Sequence, residues 1–325
     1  MQLLTKTDLP DNAITVSPSQ ITLYQRCPYK WYLAKKENKT EFVVVTEKMS
    51  LGTVFHKLLE NYYKRFLGGP IGILSNNELA LMMEETQAEN GWTSYEAQLQ
   101  FFNAYTIFIA YMNWALRNEK LIPLGAEVDT YAPTGLVSTA RTGSRPIYLH
   151  GILDLVAEQV GRIGVVDHKT HTRRPWTAES ILFDTQCLFY PLLLALQGVP
   201  VEWAMISTID MHLPKKDLQL SLQREERFER FKIKQTQVNL DRYTEELYKT
   251  IKQMWCIPGM DYVRRLDRYC SGCGFSEICG MHLRGYDIDE LIEAKYTPTT
   301  LTAKEFDPND YLDGADASSY PQLDG

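Results

Sequence analysis

The sequence predicts an α/β protein, and three observations predict it. Residues from about Ile147 to Lys169 read as a β-hairpin with two apolar, β-branched arms, about Ile147–Glu158 and Arg162–Lys169, with Gly161 and Gly164 around the turn. Val201–Ile209 is a further strand of alternating apolar residues. On both sides of these strands, apolar residues recur at helical spacing. The 325 residues are 44% hydrophobic, enough to bury a large core in one or two domains.

Taken in order, Ser17–Lys36 opens as a helix that Ser17 or Ser19 can cap, with Ile21, Leu23 and Tyr24 as its buried stripe. Cys27-Pro28 breaks it, and Tyr29, Trp31 and Tyr32 pack beyond the break. Leu51–Phe66 is a second helix, with Val54, Phe55, Leu58, Leu59, Tyr62 and Tyr63 on apolar faces and His56 near its start. From Asn76 to Asn118 the chain reads as helical and rich in aromatic residues that serve packing. Pro123 ends that stretch, and Glu127–Tyr131 begins a strand. After the hairpin, Thr177–Leu196 reads as a helix and Gln219–Gln253 as a long charged one, solvated on one side. Residues 297–325 are acidic and punctuated by proline, a composition expected of a disordered tail.

Composition excludes several classes. No run approaches the roughly 18 to 20 apolar residues of a membrane span, so no membrane role is expected. The first residues lack a basic region followed by an apolar core, so they do not read as a secretory signal. The six cysteines form no compact disulfide ladder, which points to a reducing cytoplasm. A net charge of −7 argues against indiscriminate nucleic-acid binding and leaves room for a local basic groove. There is no internal repeat and no Walker-type phosphate loop, hence no recognisable ATP motor.

The chemistry lies in the charges that interrupt the hairpin. Asp154 follows Gly151 as G-x-x-D, and Asp167 and Lys169 close the second arm as D-x-K. Carboxylates on two neighbouring apolar strands are costly to bury unless a positive group lies between them, and a divalent cation with oxygen ligands supplies one. Period two sends Asp167 and Lys169 out of the same strand face, which puts an ammonium beside that cation. Taken alone, D-x-K also describes an ion pair on a solvated sheet edge, and a lone helical His56 is more often structural. Glu127 adds a further acidic candidate, as readily a water-facing strand residue. Gln186 and Tyr190, four apart, share a helix face. Cys270, Cys273 and Cys279 form C-x2-C-x5-C in a glycine-punctuated loop, a metal-binding spacing whose fourth ligand would be His282 or Cys27. Cys187 and Cys256 read as packing residues.

Arranged in order, S-x-S-Q-I-x-x-Y-x-x-C-P-x-K-W (Ser17–Trp31), G-T-x-x-H (Gly52–His56), G-x-x-D, D-x-K, Q-x-x-x-Y (Gln186–Tyr190) and C-x2-C-x5-C resemble one family. It is the RecB-type nucleases of the PD-(D/E)XK superfamily, in the iron–sulfur branch that includes Cas4 and the AddB nuclease domain. The resemblance runs from about Ser17 to His282. It implies a restriction-endonuclease-like mixed sheet flanked by helices, in one domain over residues 1–296, with a helical insertion at about 67–125 and a C-terminal iron–sulfur cysteine motif. It implies that His56, Asp154, Asp167 and the main-chain carbonyl of His168 bind Mg²⁺ or Mn²⁺. Lys169 would orient the attacking water, and Gln186 and Tyr190 would support the site and contact the DNA strand. Asp167 stands where the family often has Glu. Cys27, Cys270, Cys273 and Cys279 would hold a [4Fe–4S] cluster, with zinc on the same thiols as the alternative. The implied activity is a DNA nuclease, foremost an exonuclease on single strands or free ends in recombination, repair or spacer processing, working beside a helicase or recombination partner or as an oligomer. An endonuclease, an RNA-directed nuclease and a non-catalytic DNA-binding scaffold are the alternatives. Arg173, Arg174, Arg264, Arg265 and Arg268 are candidate backbone contacts.

Overall fold

The computed structural model describes residues 3–36, 39–41, 50–90, 95–139, 143–172, 177–182, 184–212, 225–257, 262–288, 291–292 and 296–298. The chain divides into two compact units, residues 1–21 with 49–260 and residues 22–48 with 261–325. Its elements begin with β1 (Ile14–Val16), α1 (Pro18–Arg26), α2 (Pro28–Trp31), β2 (Lys39–Glu41), α3 (Leu51–Lys64), α4 (Asn76–Asn90) and α5 (Tyr95–Asn118). Then come β3 (Ile122–Ser138), β4 (Arg145–Gln159), β5 (Arg162–His171), α6 (Ala178–Leu182), α7 (Gln186–Ala195) and β6 (Trp203–Asp210). The last are β7 (Phe228–Lys234), α8 (Gln237–Ile251), α9 (Ser276–Leu283) and β8 (Tyr296–Pro298).

The larger unit is built on a mixed sheet in the order β1-β4-β5-β6-β7, with β3 also paired to β4. Its topology explains where the site lies. β3 runs antiparallel along nearly all of β4, from Ile122↔Glu158 to Ser138↔Arg145. β1 and β5 must therefore share the other edge of β4. β1 lies parallel to Ile147–Leu149, and β5 pairs antiparallel with Leu155–Gln159. Between these two partners that edge of β4 has no strand partner among the described residues over 150–154, the stretch that carries G-x-x-D.

The hairpin turn is the two-residue loop Val160–Gly161, with φ of 54° and 73°. Both values are left-handed, as a two-residue hairpin of right-handed twist requires, and only the second residue is a glycine. Gly164 is not in the turn. It sits within β5, where an added Cβ would lie 2.0 Å from the indole of Trp203, so the ring lies flat on bare backbone. On one side of the sheet α3, α4 and α5 bury a core that includes Phe55, Tyr62, Phe108 and Tyr111 against Val166, Trp203 and Met205. Ser50, which the sequence reading did not single out, caps α3 by accepting from the Thr53 N–H at 3.1 Å.

Five expectations are corrected. The charged helix expected over Gln219–Gln253 is a strand followed by a helix: Phe228–Lys234 pairs antiparallel with β6, and α8 starts only after a Thr236–Asn239 capping box. A tertiary partner overrides helix propensity there, because the exposed face of β7 can stay charged while Phe228 is buried. The stretch Asn76–Asn118 falls into two helices, and Thr177–Leu196 falls into α6 and α7, which places Gln186 at the first turn of a helix. Strand β3 begins at Ile122 and takes in Pro123. Thr297 and Pro298, assigned to the tail, pair with Thr40 and Lys39 in a small second sheet, and residues 299–325 lie outside the described ones. No helix among the described residues is long and apolar enough to cross a membrane.

Candidate metal centre

The register of the sheet brings the acidic residues together. Ala126↔Leu155 and Val128↔Leu153 place Glu127 opposite Asp154. Leu155↔Val166 is the last pair of the β4–β5 ladder, so Asp154 and Asp167 face each other where the two strands part. Asp154 takes over from the ladder, its Oδ2 accepting from the His168 N–H at 2.7 Å. From α3, His56 Nδ1 comes within 3.7 Å of the same oxygen. Ligand atoms of His56, Glu127 and Asp154 all lie within 4.8 Å of one another, the spacing of groups around one ion.

Glu127, which the sequence left open as a water-facing strand residue, is thus a member of the converging set. Its backbone has φ 49°, a left-handed conformation inside a strand that a non-glycine residue adopts only under constraint. Asp167, expected as a ligand beside His56 and Asp154, sits one step away and holds the Lys169 ammonium at 2.8 Å. Lys169 also donates to Gln186 Oε1. Gln186 Nε2 donates to the Tyr190 hydroxyl at 2.7 Å, and the Gln186 N–H is anchored on Asp184 Oδ1 at 2.8 Å. The D-x-K and Q-x-x-x-Y residues therefore form one chain of contacts: Asp167, Lys169, Gln186, Tyr190. Gly151 admits this arrangement, since a Cβ there would come within 2.9 Å of Tyr190 and of Leu193.

Burial governs the charges. Asp154 and Asp167 are both pushed up to about 7, chiefly because burial penalises their ionised forms. Burial, then Glu60, raises Glu127. Burial lowers His56, which keeps its imidazole neutral and able to ligate a metal. For Lys169 burial works against the charge, and the carboxylates of Asp167, Asp184 and Asp154 together more than offset it, so the net shift is upward and the ammonium persists. Crowded carboxyls held near neutrality beside a neutral imidazole are a donor set that a divalent cation would relieve. The His168 side chain is buried, stacked on Tyr63 at 5.7 Å between centroids and edge-on to His56 at 6.4 Å.

In the smaller unit, Cys27, Cys270, Cys273 and Cys279 line one cavity of about 500 Å³, and all four are free thiols. Among the described residues no three of these sulfurs approach within 4.8 Å of one another. Arg26, Lys30, Arg264, Arg265 and Arg268 line the same cavity. Two of these arginines have internal tasks: Arg264 lies over the Tyr29 ring at 3.9 Å and bonds His282 Nδ1, and Arg265 donates to the Gln25 carbonyl. His282 is thereby occupied and is absent from the cavity lining. Arg173 and Arg174 lie outside the described residues. Cys187 is buried, its thiol pushed up to about 12 by burial, and Cys256 donates to the Val137 carbonyl at 3.2 Å.

A family model described as the PD-(D/E)XK nuclease superfamily matches residues 15–280. No curated protein matches the chain. A solved structure described as the crystal structure of SSO0001 aligns with 68% of this chain and 94% of its own, at 15% identity and a TM-score of 0.26, a likeness too loose to carry an argument.

Proposed function

This chain belongs to the PD-(D/E)XK nuclease superfamily, whose members are metal-dependent nucleases, and we propose that it hydrolyses DNA phosphodiesters at the centre around Asp154. The observation that carries this is the convergence of His56, Glu127 and Asp154 beside the Asp167–Lys169 pair. Mg²⁺ or Mn²⁺ would be held by these three donors, with Asp167 and the His168 carbonyl as the remaining candidates; when bound, it supplies Lewis-acid charge and a lowered water pKa. Imidazole in the set favours Mn²⁺ somewhat over Mg²⁺.

The chain's own residues do the rest. Asp154 Oδ2 accepts from the His168 N–H and lies 3.7 Å from His56 Nδ1, so the carboxylate is oriented by the protein itself. Lys169, braced between Asp167 and Gln186, keeps a positive charge where an attacking water and a phosphate oxygen would meet, orienting the first and offsetting charge on the second. Gln186 and Tyr190 set where that ammonium points and offer donors to the strand being cut.

The finer reading is a single-strand or end-directed exonuclease of the Cas4 and AddB type, acting with a helicase or recombination partner in the cytoplasm. It rests on the resemblance of the motifs, including the cysteines. For these, a [4Fe–4S] cluster is the group proposed. A tetrahedral zinc site, with Zn–S bonds near 2.3 Å, needs sulfurs about 3.8 Å apart. Among the described residues no three of these sulfurs come within 4.8 Å of one another, which fits a larger group better.

End-labelled single- and double-stranded DNA and RNA, linear and circular, incubated with Mg²⁺, Mn²⁺ or EDTA, test the activity. Cleavage of linear single strands from an end, abolished by EDTA and sharply reduced by Lys169→Ala, is expected. Cutting of circles would make the chain an endonuclease, cutting of RNA alone would change the substrate, and metal-independent binding without cleavage would make it a scaffold. Absorbance near 400 nm and iron content after anaerobic purification test the cluster, and a colourless protein with stoichiometric zinc would reject it.

A further inference from the structure

A second set of buried polar groups lies beneath the metal centre, and the hydrolytic reading leaves it unused. In the registers of β5 with β6 and β6 with β7, His168 pairs with Ser207 and Ser207 with Arg230. These residues stand side by side across three strands. Arg230 donates to Ser207 Oγ and forms an ion pair with Glu119, whose side chain is 2% exposed. Arg230 also donates to the Tyr111 hydroxyl at 2.6 Å and lies over the Trp114 ring at 4.7 Å. The Tyr111 hydroxyl shares a 2.6 Å hydrogen bond with that of Tyr63 and donates to Glu119 at 3.3 Å.

This network ends on one imidazole. The Tyr63 ring stacks on His168 at an angle of 19°, and Tyr111 meets the same ring edge-on at 6.2 Å. Neither ring nitrogen of His168 has a hydrogen-bond partner among the described residues. Three aromatic rings wall it in, the third being His56 at 6.4 Å. The same residue's N–H holds Asp154.

We infer that Arg230 and Glu119 are positioning residues for the metal centre, acting through the Tyr63–Tyr111 wall on His168 and from there on Asp154 and His56. The inference rests on the metal-centre reading and adds to it what holds the centre in place. Stability does not account for the ion pair, because replacing a buried ion pair by apolar residues of similar size is often neutral or stabilising. What the pair adds is direction: the guanidinium fork fixes Ser207, Glu119 and Tyr111 at once. Groups behind metal ligands typically change metal affinity 10- to 100-fold when lost.

The test is the double variant Arg230→Met/Glu119→Leu, with its metal-free melting temperature and its Mn²⁺ affinity by titration calorimetry. The expected result is a melting temperature at or above the wild type with Mn²⁺ binding weakened about 10- to 100-fold. Arg230→Lys beside native Glu119 should recover part of the loss. Wild-type affinity in the folded double variant would overturn the inference and leave the network as packing. Should that variant not fold, Tyr63→Phe keeps the ring on His168 and removes only the hydroxyl. It should weaken Mn²⁺ several-fold, and unchanged affinity there would overturn the inference as well. Wild-type protein that takes up no Mn²⁺ would instead sink the metal-centre reading itself.

Discussion

The two candidate metal-binding regions are built on opposite principles. Around Asp154 the ligands come from strand register and one helix: β3, β4 and α3 each contribute one, and their donor atoms lie within 4.8 Å of one another. Around Cys270 the candidate ligands come from the turn Arg268–Gly272 and the residue that follows it, from the short helix α9, and from the junction between α1 and α2. Backbone bonds such as Cys273 N–H to the Cys270 carbonyl at 3.1 Å shape that loop, while among the described residues no three of the sulfurs come within 4.8 Å of one another. A sheet can hold carboxylates close before a small hard cation arrives, because the fold has already met the cost of burying them. A loop gathers thiols around a larger, softer group whose binding energy then completes the local fold.

The sharpest way to break this contrast is at the strand-built site, where the largest effect is expected. Lys169→Ala should reduce cleavage by on the order of 10³-fold, since it removes a charge used in the transition state. Asp154→Asn should abolish it, yet the metal-free protein should melt no lower than the wild type, because a buried carboxyl becomes a neutral amide. Near-wild-type cutting by either variant with Mn²⁺ would show that the reaction occurs elsewhere.

At the loop-built site the order of effects should reverse. Cys270→Ser should remove visible absorbance and open the smaller unit to proteolysis, because the binding energy of a structural metal group is folding energy. Thermal stabilisation of the larger unit by Mn²⁺ should persist. Limited digestion with mapping of the cut sites reads the first effect, and a melt with and without Mn²⁺ reads the second. A variant that resists protease as the wild type does would mean that the thiols hold nothing structural.

The contrast also separates what could be read from the chain and what could not. The hairpin, the shared strand face of Asp167 and Lys169 and the shared helix face of Gln186 and Tyr190 were readable because each depends on period two or on i,i+4 spacing, whereas Asp154 drew attention through the order of the motifs. Glu127 stayed open because its place depends on a left-handed backbone inside a strand and on register with a segment 27 positions later. Strand β7 was hidden because Phe228–Lys234 carries a helix-compatible charge pattern, and only the waiting edge of β6 selects the extended form. Arg230, Glu119, Tyr111 and Tyr63 come from four separate places in the sequence and share no motif. In the smaller unit the cysteine spacing was plain, but spacing says nothing of the distance at which the sulfurs settle.

A milder perturbation is pH. Asp154 and Asp167 are raised to about 7 from an unfolded value of 3.8. The native state therefore binds more protons than the unfolded chain between those values. Their contribution to stability is full below about 4 and is lost as pH rises through about 7. Mn²⁺ displaces those protons, so the rise in melting temperature that it causes should be small at pH 5 and grow steadily to pH 7.5. A metal-induced rise that is flat across this range would mean that the ion binds outside the buried carboxyls.

The smallest expected effect concerns backbone strain at Glu127. A left-handed conformation costs a residue with a Cβ about 1–2 kcal/mol, and glycine adopts it freely, though a glycine also gives up roughly 0.5–1 kcal/mol of chain entropy on folding. Glu127→Gly should therefore leave the metal-free protein as stable as the wild type or slightly more so, while weakening Mn²⁺. Glu127→Gln is the control, since it removes the same half-buried carboxyl and keeps the strained backbone. Metal-free melts of the two variants should differ in favour of glycine, while their Mn²⁺ affinities should fall alike. A glycine variant less stable than the glutamine one would show that the neighbouring strands impose no strain at this position, and that the ligand reaches Asp154 at no cost to the backbone.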